Sequence, residues 1–233
     1  MSKALFALPF LAFALVAAKP VAPVTPPSAI AVPAEVAADP QNLLTLDLST
    51  GGHVVIQLRP DLAPAAVERI RTLTQQGFYN GVIFHRVIPG FMAQTGDPTG
   101  TGQGGSKLPD LKAEFNALPH LRGTVAMARA TEVDSANSQF YIMFAPKFSL
   151  DHQYTAFGRV IEGMAAVDAV AVGEPPANPT KIVKASIGGP LVASGPTAPV
   201  VAAPAPATVA PVPAPEPAAP APETPAPSAP SGG

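Results

Sequence analysis

Arg86 and Gln94 stand in the run "FHRVIPGFMAQTGDP", Phe84 to Pro98, among mostly apolar neighbours. Arginine is a permanent cation with a planar fork of donors, and a glutamine amide both donates and accepts. Neither is a nucleophile or a proton shuttle. What such a pair offers is directional hydrogen bonding beside an apolar surface. Each residue alone also fits a plainer role. Arg86 could be a surface arginine with a solvated head, and Gln94 a satisfied amide at a sheet edge.

Other chemistries find little support. The chain has no cysteine, which excludes a thiol nucleophile, a Cys-ligated zinc site, a disulfide scaffold and a Cys-linked lipid anchor. The histidines, His53, His85, His120 and His152, are not spaced with second ligands one helical turn away, so no metal is expected. "GTGQGG", Gly100 to Gly105, fits a dinucleotide fingerprint by letters only. The following "SKLPDL" has Pro109 where a helix should open, so the glycines read as a flexible surface loop beside a groove and no cofactor is expected. Ser149, Asp151 and His152 lie too close in sequence to converge and read as turn residues. There is no G-x-S-x-G elbow. The net charge of -2 gives no basic field for nucleic acid.

The elements around Arg86 and Gln94 must come from a chain of uneven composition. Of 233 residues, 31 are Pro and only 13% are charged, and the prolines concentrate at the two ends. Residues 1–18 have a basic start at Lys3, an apolar run from Ala4 to Ala18 and the small-residue exit "VAA". This reads as a cleaved signal peptide, with an uncleaved anchor as the alternative. The expected location is the periplasm or the cell envelope. Residues 19–42 are rich in Pro, Ala and Val without a helical or strand period and read as a linker. Residues 191–233 hold thirteen prolines, and no Lys or Arg occurs after Lys184. They read as a disordered or extended tail that cannot bury a core.

Residues 43–190 carry the domain. "LLTLDLST" and "HVVIQLRP" alternate apolar and polar around Gly51-Gly52, a hairpin signal. "APAAVERIRTLTQQG" predicts a helix that starts at Pro64, buries Val67, Ile70 and Leu73 or Thr74, and stops at Gly77. Short strands follow in "GVIFHRVI", "FMAQTG", "GTVAMARA", "SQFYIMFA", "YTAFGRVI" and "TKIVKASIGG", with a second helix in "GMAAVDAVA". The pattern is mainly β and suggests a closed or nearly closed antiparallel barrel with two helices. Strand alternation puts Arg86 on the face of Phe84, and Met92 on the face of Gln94. It separates Phe91 from Gln94 unless a bulge or twist follows Pro89-Gly90.

"FHRVIPGFMAQTGDPTGTGQGG" resembles the signature of the cyclophilin-type peptidyl-prolyl cis-trans isomerases. "VAMAR" (Val125 to Arg129), "NSQFYI" (Asn137 to Ile142), Leu150-Asp151 and "YTAFGRVIEGM" (Tyr154 to Met164) match further blocks in order. The resemblance spans residues 43–190. It implies a closed eight-stranded antiparallel barrel capped by two α-helices. It assigns Arg86 as the catalytic arginine, with Gln94 beside it as the second catalytic residue, expected to hold Arg86 and to contact the substrate carbonyl. Phe91, Met92, Ala128, Arg129, Gln139, Tyr141, Leu150 and Tyr154 become the substrate-binding groove. Arg129 stands where many members have asparagine, and Tyr141 replaces a common phenylalanine. Ser149 stands where drug-sensitive members carry tryptophan, which weighs against tight cyclosporin binding more than against catalysis.

The resemblance implies an isomerase acting on Pro-containing polypeptides and assisting the folding of exported proteins, without cofactor or metal. A non-catalytic groove that holds Pro-containing segments and a barrel merely mounted on Pro-rich spacers are the competing readings. A monomer is expected, with weak self-binding of the Ala-Pro-rich tail.

Overall fold

Hydrophobic alternation makes the first hairpin. In the computed structural model, which describes residues 30–188, β1 (Leu43–Leu48) and β2 (His53–Leu58) pair antiparallel from Leu43 opposite Gln57 to Asp47 opposite His53. Gly51, with φ at +81°, supplies the left-handed backbone of the turn. The expected signal peptide 1–18, the tail 191–233 and the first part of the expected linker lie outside the described residues. The end of the linker, however, is folded. A short helix α1 (Ala34–Ala38) and a 3-10 turn (Pro40–Asn42) precede β1, and Val36 is buried. Asn42 Nδ2 donates to Val36 O at 2.9 Å, which holds this segment on the domain. Five Ala-rich residues between prolines are too few to show a period, so a bare tether over all of 19–42 is corrected here.

Helix α2 (Pro64–Gln75) follows the sequence expectation closely. Pro64 opens it, and Ala66, Val67, Ile70, Leu73 and Thr74 face inward. Its N-terminus lacks a local cap. The Glu114 carboxylate, far along the chain, accepts from Ala65 N–H and Ala66 N–H, both at 2.9 Å. Its C-terminus is a Schellman motif. Phe78 N–H donates to Leu73 O, Gly77 N–H donates to Thr74 O, and Gly77 has φ +70°.

The remaining strands are β3 (Arg86–Ile88), β4 (Met92–Thr95), β5 (Thr124–Met127), β6 (Phe140–Met143), β7 (Ala156–Glu162) and β8 (Ile182–Ile187). Helix α3 (Met164–Asp168) lies between the last two. All eight strands join one antiparallel sheet in the order β3-β4-β6-β5-β7-β2-β1-β8. The sheet is curled. Its outer strands β3 and β8 do not form a ladder with each other; an isolated Ile83–Lys181 bridge and hydrogen bonds such as Gly81 N–H to Ile182 O, 2.7 Å, link its ends.

Side-chain alternation divides the sheet into two packed faces. Ala93, Val125, Met127, Phe140 and Ile142 join the main core beneath α2, with Phe157 and Val167. Their immediate neighbours Met92, Ala126, Tyr141 and Met143 form a second, smaller cluster, against which Phe91, Ala128, Leu150 and Tyr154 pack. The functional question concerns this second face. One sequence expectation fails here. Phe84 precedes β3 and packs into the main core with Val87, so it does not share a face with Arg86.

Candidate active site

The β3–β4 hairpin sets Arg86 directly opposite Gln94 and Ile88 opposite Met92. Its turn, Ile88-Pro89-Gly90-Phe91, has the signature of type II. Phe91 N–H donates to Ile88 O at 3.1 Å, and Gly90 carries φ +69° after Pro89. Phe91 therefore closes the turn before the ladder resumes at Met92. It is free of strict alternation and reaches the same face as Met92 and Gln94. Gln94 in turn lies opposite Tyr141 on β6, and Tyr141 opposite Ala126 on β5. Arg86, Gln94, Tyr141 and Ala126 thus form one row across four strands.

Three of the row, Arg86, Gln94 and Tyr141, line a cavity of about 140 Å³. Phe91, Met92, Tyr141, Leu150 and Tyr154 supply its apolar and aromatic lining, with Arg86 and Gln94 on one side and Ala128-Arg129 on another. Leu150 ends a 3-10 turn (Phe148–Leu150). Tyr154 packs edge-on to Tyr141 with centroids 5.8 Å apart, and the Arg129 guanidinium sits 4.8 Å from the centroid of the Tyr154 ring. Arg129 also donates to the Ala130 and Thr131 carbonyls at 3.0 and 3.1 Å, so its head braces the wall.

Gln139 is the one sequence-predicted site residue outside this cavity. It lines an adjoining polar cavity of about 520 Å³, which shares Gln94, Ala128 and Arg129 with the first. Gln139 Nε2 donates to Gly102 O and Gly104 O at 3.0 and 2.8 Å, while its Oε1 accepts from Gln94 Nε2 at 2.8 Å. Gln94 is thereby turned towards Gln139 and makes no hydrogen bond to Arg86. The expectation that Gln94 holds Arg86 is corrected. Arg86 Nε instead donates to Glu174 Oε2 at 2.9 Å, and both side chains are about half exposed.

The glycine-rich loop is neither a phosphate cradle nor loose. It wraps the fully buried Asp97 carboxylate. Thr99 N–H, Thr101 N–H, Gly102 N–H and Gly104 N–H all donate to that carboxylate, as does the Thr99 hydroxyl. A Cβ on Gly104 would collide with Asp97, which explains a glycine there. Burial pushes the Asp97 pKa up. The Thr99 hydroxyl and the loop N–H groups outweigh it and bring the pKa down to about 2.

Beneath the groove lies an arrangement that sequence adjacency concealed. Asp151 pairs with His120, not with its neighbour His152. His120 N–H and Nδ1 both lie within 2.9 Å of Asp151 Oδ1, and His120 Nε2 lies 3.1 Å from the Tyr141 hydroxyl. A carboxylate only accepts, so Nδ1 carries the proton, and the Tyr141 hydroxyl donates to Nε2. Burial lowers the His120 pKa against the opposing pull of Asp151 and raises that of Tyr141. The hydroxyl at the groove floor is therefore engaged below the floor. His152 has φ +57° and sits in the turn expected of it.

Comparison with known proteins decides the family. The family described as "Cyclophilin type peptidyl-prolyl cis-trans isomerase/CLD" matches residues 45–187. This chain is a cyclophilin. A protein of Brucella suis named "Probable peptidyl-prolyl cis-trans isomerase" is 50% identical over 167 residues, covering 65% of this chain and 85% of the relative. "Peptidyl-prolyl cis-trans isomerase-like 1" of Aspergillus fumigatus is 40% identical over 144 residues, covering 58% and 89%. Among solved structures, a cyclophilin from Hirschia baltica superposes with a TM-score of 0.59 at 29% identity, over 64% of this chain and 74% of that one. A cyclophilin-type isomerase from Cryptosporidium parvum, determined in the presence of the dipeptide Ala-Pro, gives 0.60 at 27% identity, over 64% and 99%. The present cyclophilin is accordingly a peptidyl-prolyl cis-trans isomerase.

Sequence reading named residues that the structure gathers around one cavity, but not the residues that support them. Glu174, His120 and Asp97 reach the site from outside the signature strands or from a loop read as loose. Only Asp97, followed by alternating Thr and Gly, had a local signal of a side chain capping its own turn.

Proposed function

We propose that this cyclophilin rotates X-Pro bonds in unfolded or folding proteins, with Arg86 as the donor to the prolyl nitrogen. The observation that carries the reading is the position of Arg86. Its guanidinium stands at the side of the cavity lined by Phe91, Met92, Tyr141, Leu150 and Tyr154, and its two terminal nitrogens have no hydrogen-bond partner among the described residues.

The planar amide resists rotation by about 18–20 kcal/mol because resonance binds up the nitrogen lone pair. Twisting the bond returns that lone pair. A guanidinium N–H beside the nitrogen can then donate to it, and only then. Such a contact lowers the barrier because it is absent in both planar ground states. One charge-assisted hydrogen bond contributes about 1.5–3 kcal/mol. A millionfold acceleration needs about 8 kcal/mol. The rest falls to orientation. Phe91, Met92, Tyr141 and Leu150 would grip the proline ring in a dry socket. Gln94, with one amide N–H given to Gln139, keeps its carbonyl oxygen for the substrate chain, and Ala128 and Arg129 would hold the other side of the bond. No proton transfer or covalent step enters.

The apolar start and small-residue exit of the sequence support export to the periplasm or cell envelope, and with it a role in folding exported proteins. Repeated Ala-Pro pairs in residues 191–233 support weak occupancy of the groove by the chain's own tail. A monomer is the simplest state for such an enzyme. The test is isomerisation of an Ala-Pro peptide by the full-length protein beside Arg86→Ala. Fast exchange lost in the variant supports the assignment. Peptide binding without isomerisation in the unaltered protein would make the groove a holding site.

A further inference from the structure

The guanidinium at the centre of this reading is oriented from behind by one residue from the far end of the domain. Gly173 forms a two-bond bridge with Val87: Val87 N–H donates to Gly173 O at 2.8 Å, and Gly173 N–H donates to Val87 O at 3.1 Å. The bridge lies on the free edge of β3, since β4 occupies the other edge. It delivers Glu174 to Arg86, where Oε2 accepts from Nε at 2.9 Å. On the opposite side Gln94, the cross-strand partner of Arg86, is turned away to Gln139.

The guanidinium is a rigid plane, so an acceptor on Nε fixes the orientation of the whole fork. It does so without consuming the terminal nitrogens. We propose that Glu174 is the positioning residue of Arg86: its carboxylate holds the fork so that the terminal N–H groups face the prolyl nitrogen. The proposal rests on the reading of Arg86 as the donor. An exposed ion pair does little for stability, so a stability role would leave activity untouched. Positioning predicts the reverse. Arg86 donates in the twisted state alone, so loss of its anchor must appear in kcat and leave KM in place.

The experiment compares full-length wild type, Arg86→Ala, Glu174→Ala and Glu174→Gln on an Ala-Pro peptide, with kcat, KM and Tm measured for each. Glu174→Ala is expected to lower kcat about tenfold, with KM within about twofold and Tm within about 2 °C of wild type. Glu174→Gln keeps an acceptor oxygen and should recover most of kcat. A kcat unchanged in Glu174→Ala, while Arg86→Ala is inactive, overturns the role of Glu174 alone. So does a loss that Gln does not restore, or one that tracks Tm. Full activity in Arg86→Ala overturns the reading of Arg86, and the proposal with it.

Discussion

The Tyr141 hydroxyl and His120 Nε2 lie 3.1 Å apart under the groove floor, and Asp151 fixes the imidazole from its other side. The contact makes a tyrosine behave, from the substrate side, much as a phenylalanine would. Tyr141→Phe removes the donor and leaves a fully buried imidazole nitrogen unsatisfied. We expect Tm to fall by about 2–12 °C, from a loss of about 1–3 kcal/mol in a domain of this size. Isomerase kcat/KM should stay within about twofold, because the ring is kept. Calorimetry beside a peptide assay checks both; a large loss of activity at unchanged Tm would show that the hydroxyl faces the substrate after all.

Gln139 ties the glycine-rich loop to Gln94. It takes two loop carbonyls on its nitrogen and the Gln94 amide on its oxygen. Gln139→Ala should let Gln94 swing and reduce kcat/KM about tenfold, by misplacing a substrate contact. Gln139→Glu keeps the acceptor for Gln94 but sets a carboxylate against the Gly102 and Gly104 carbonyls. It should therefore detach the loop. Amide exchange at residues 99–105 separates the two effects: fast exchange in the Glu variant with Gln94 still ordered is the expected pattern.

Asp97 gives the protein an acid limit. Its folded pKa, about 2, is below the unfolded value of about 3.9, so the charged carboxylate favours the folded state. That contribution is complete above about pH 5 and is lost as the pH falls from about 4 to 2; a shift of this size corresponds to about 2.6 kcal/mol. Urea midpoints measured from pH 7 to pH 2 should fall in that window for the wild type. Asp97→Asn should be less stable at pH 7 and nearly flat through the same window. Parallel curves for the two proteins would mean that another carboxylate sets the limit.

Local pattern carried most of the architecture. Period-two alternation located the strands, and Pro64 with Gly77 bounded α2, because these signals depend on burial and backbone geometry within a few residues. The groove lining was legible for a different reason. Alternation put Met92 on the face of Gln94, but Tyr141, Leu150 and Tyr154 were named only by their place in the motifs of the family the chain resembles. Phe91 needed the Pro89-Gly90 turn to be read as a change of phase. The supports were not legible. Glu174 meets Arg86 across 88 positions, and His120 meets Asp151 across 31. Contacts made by loop closure leave no period behind. Phe84 failed for the opposite reason: its sequence continues the strand pattern, but the strand itself begins at Arg86.

The order of the strands has a topological corollary. β1 lies between β2 and β8, and Gly188 N–H donates to Leu43 O at 3.1 Å, so the polypeptide enters and leaves the sheet at one seam. The Arg86 row is borne by strands at the other end of the sheet order. Such a domain is a cassette. A few residues could splice its two ends, fresh ends could be opened in a distant surface turn, and the circularly permuted chain would rebuild the same groove.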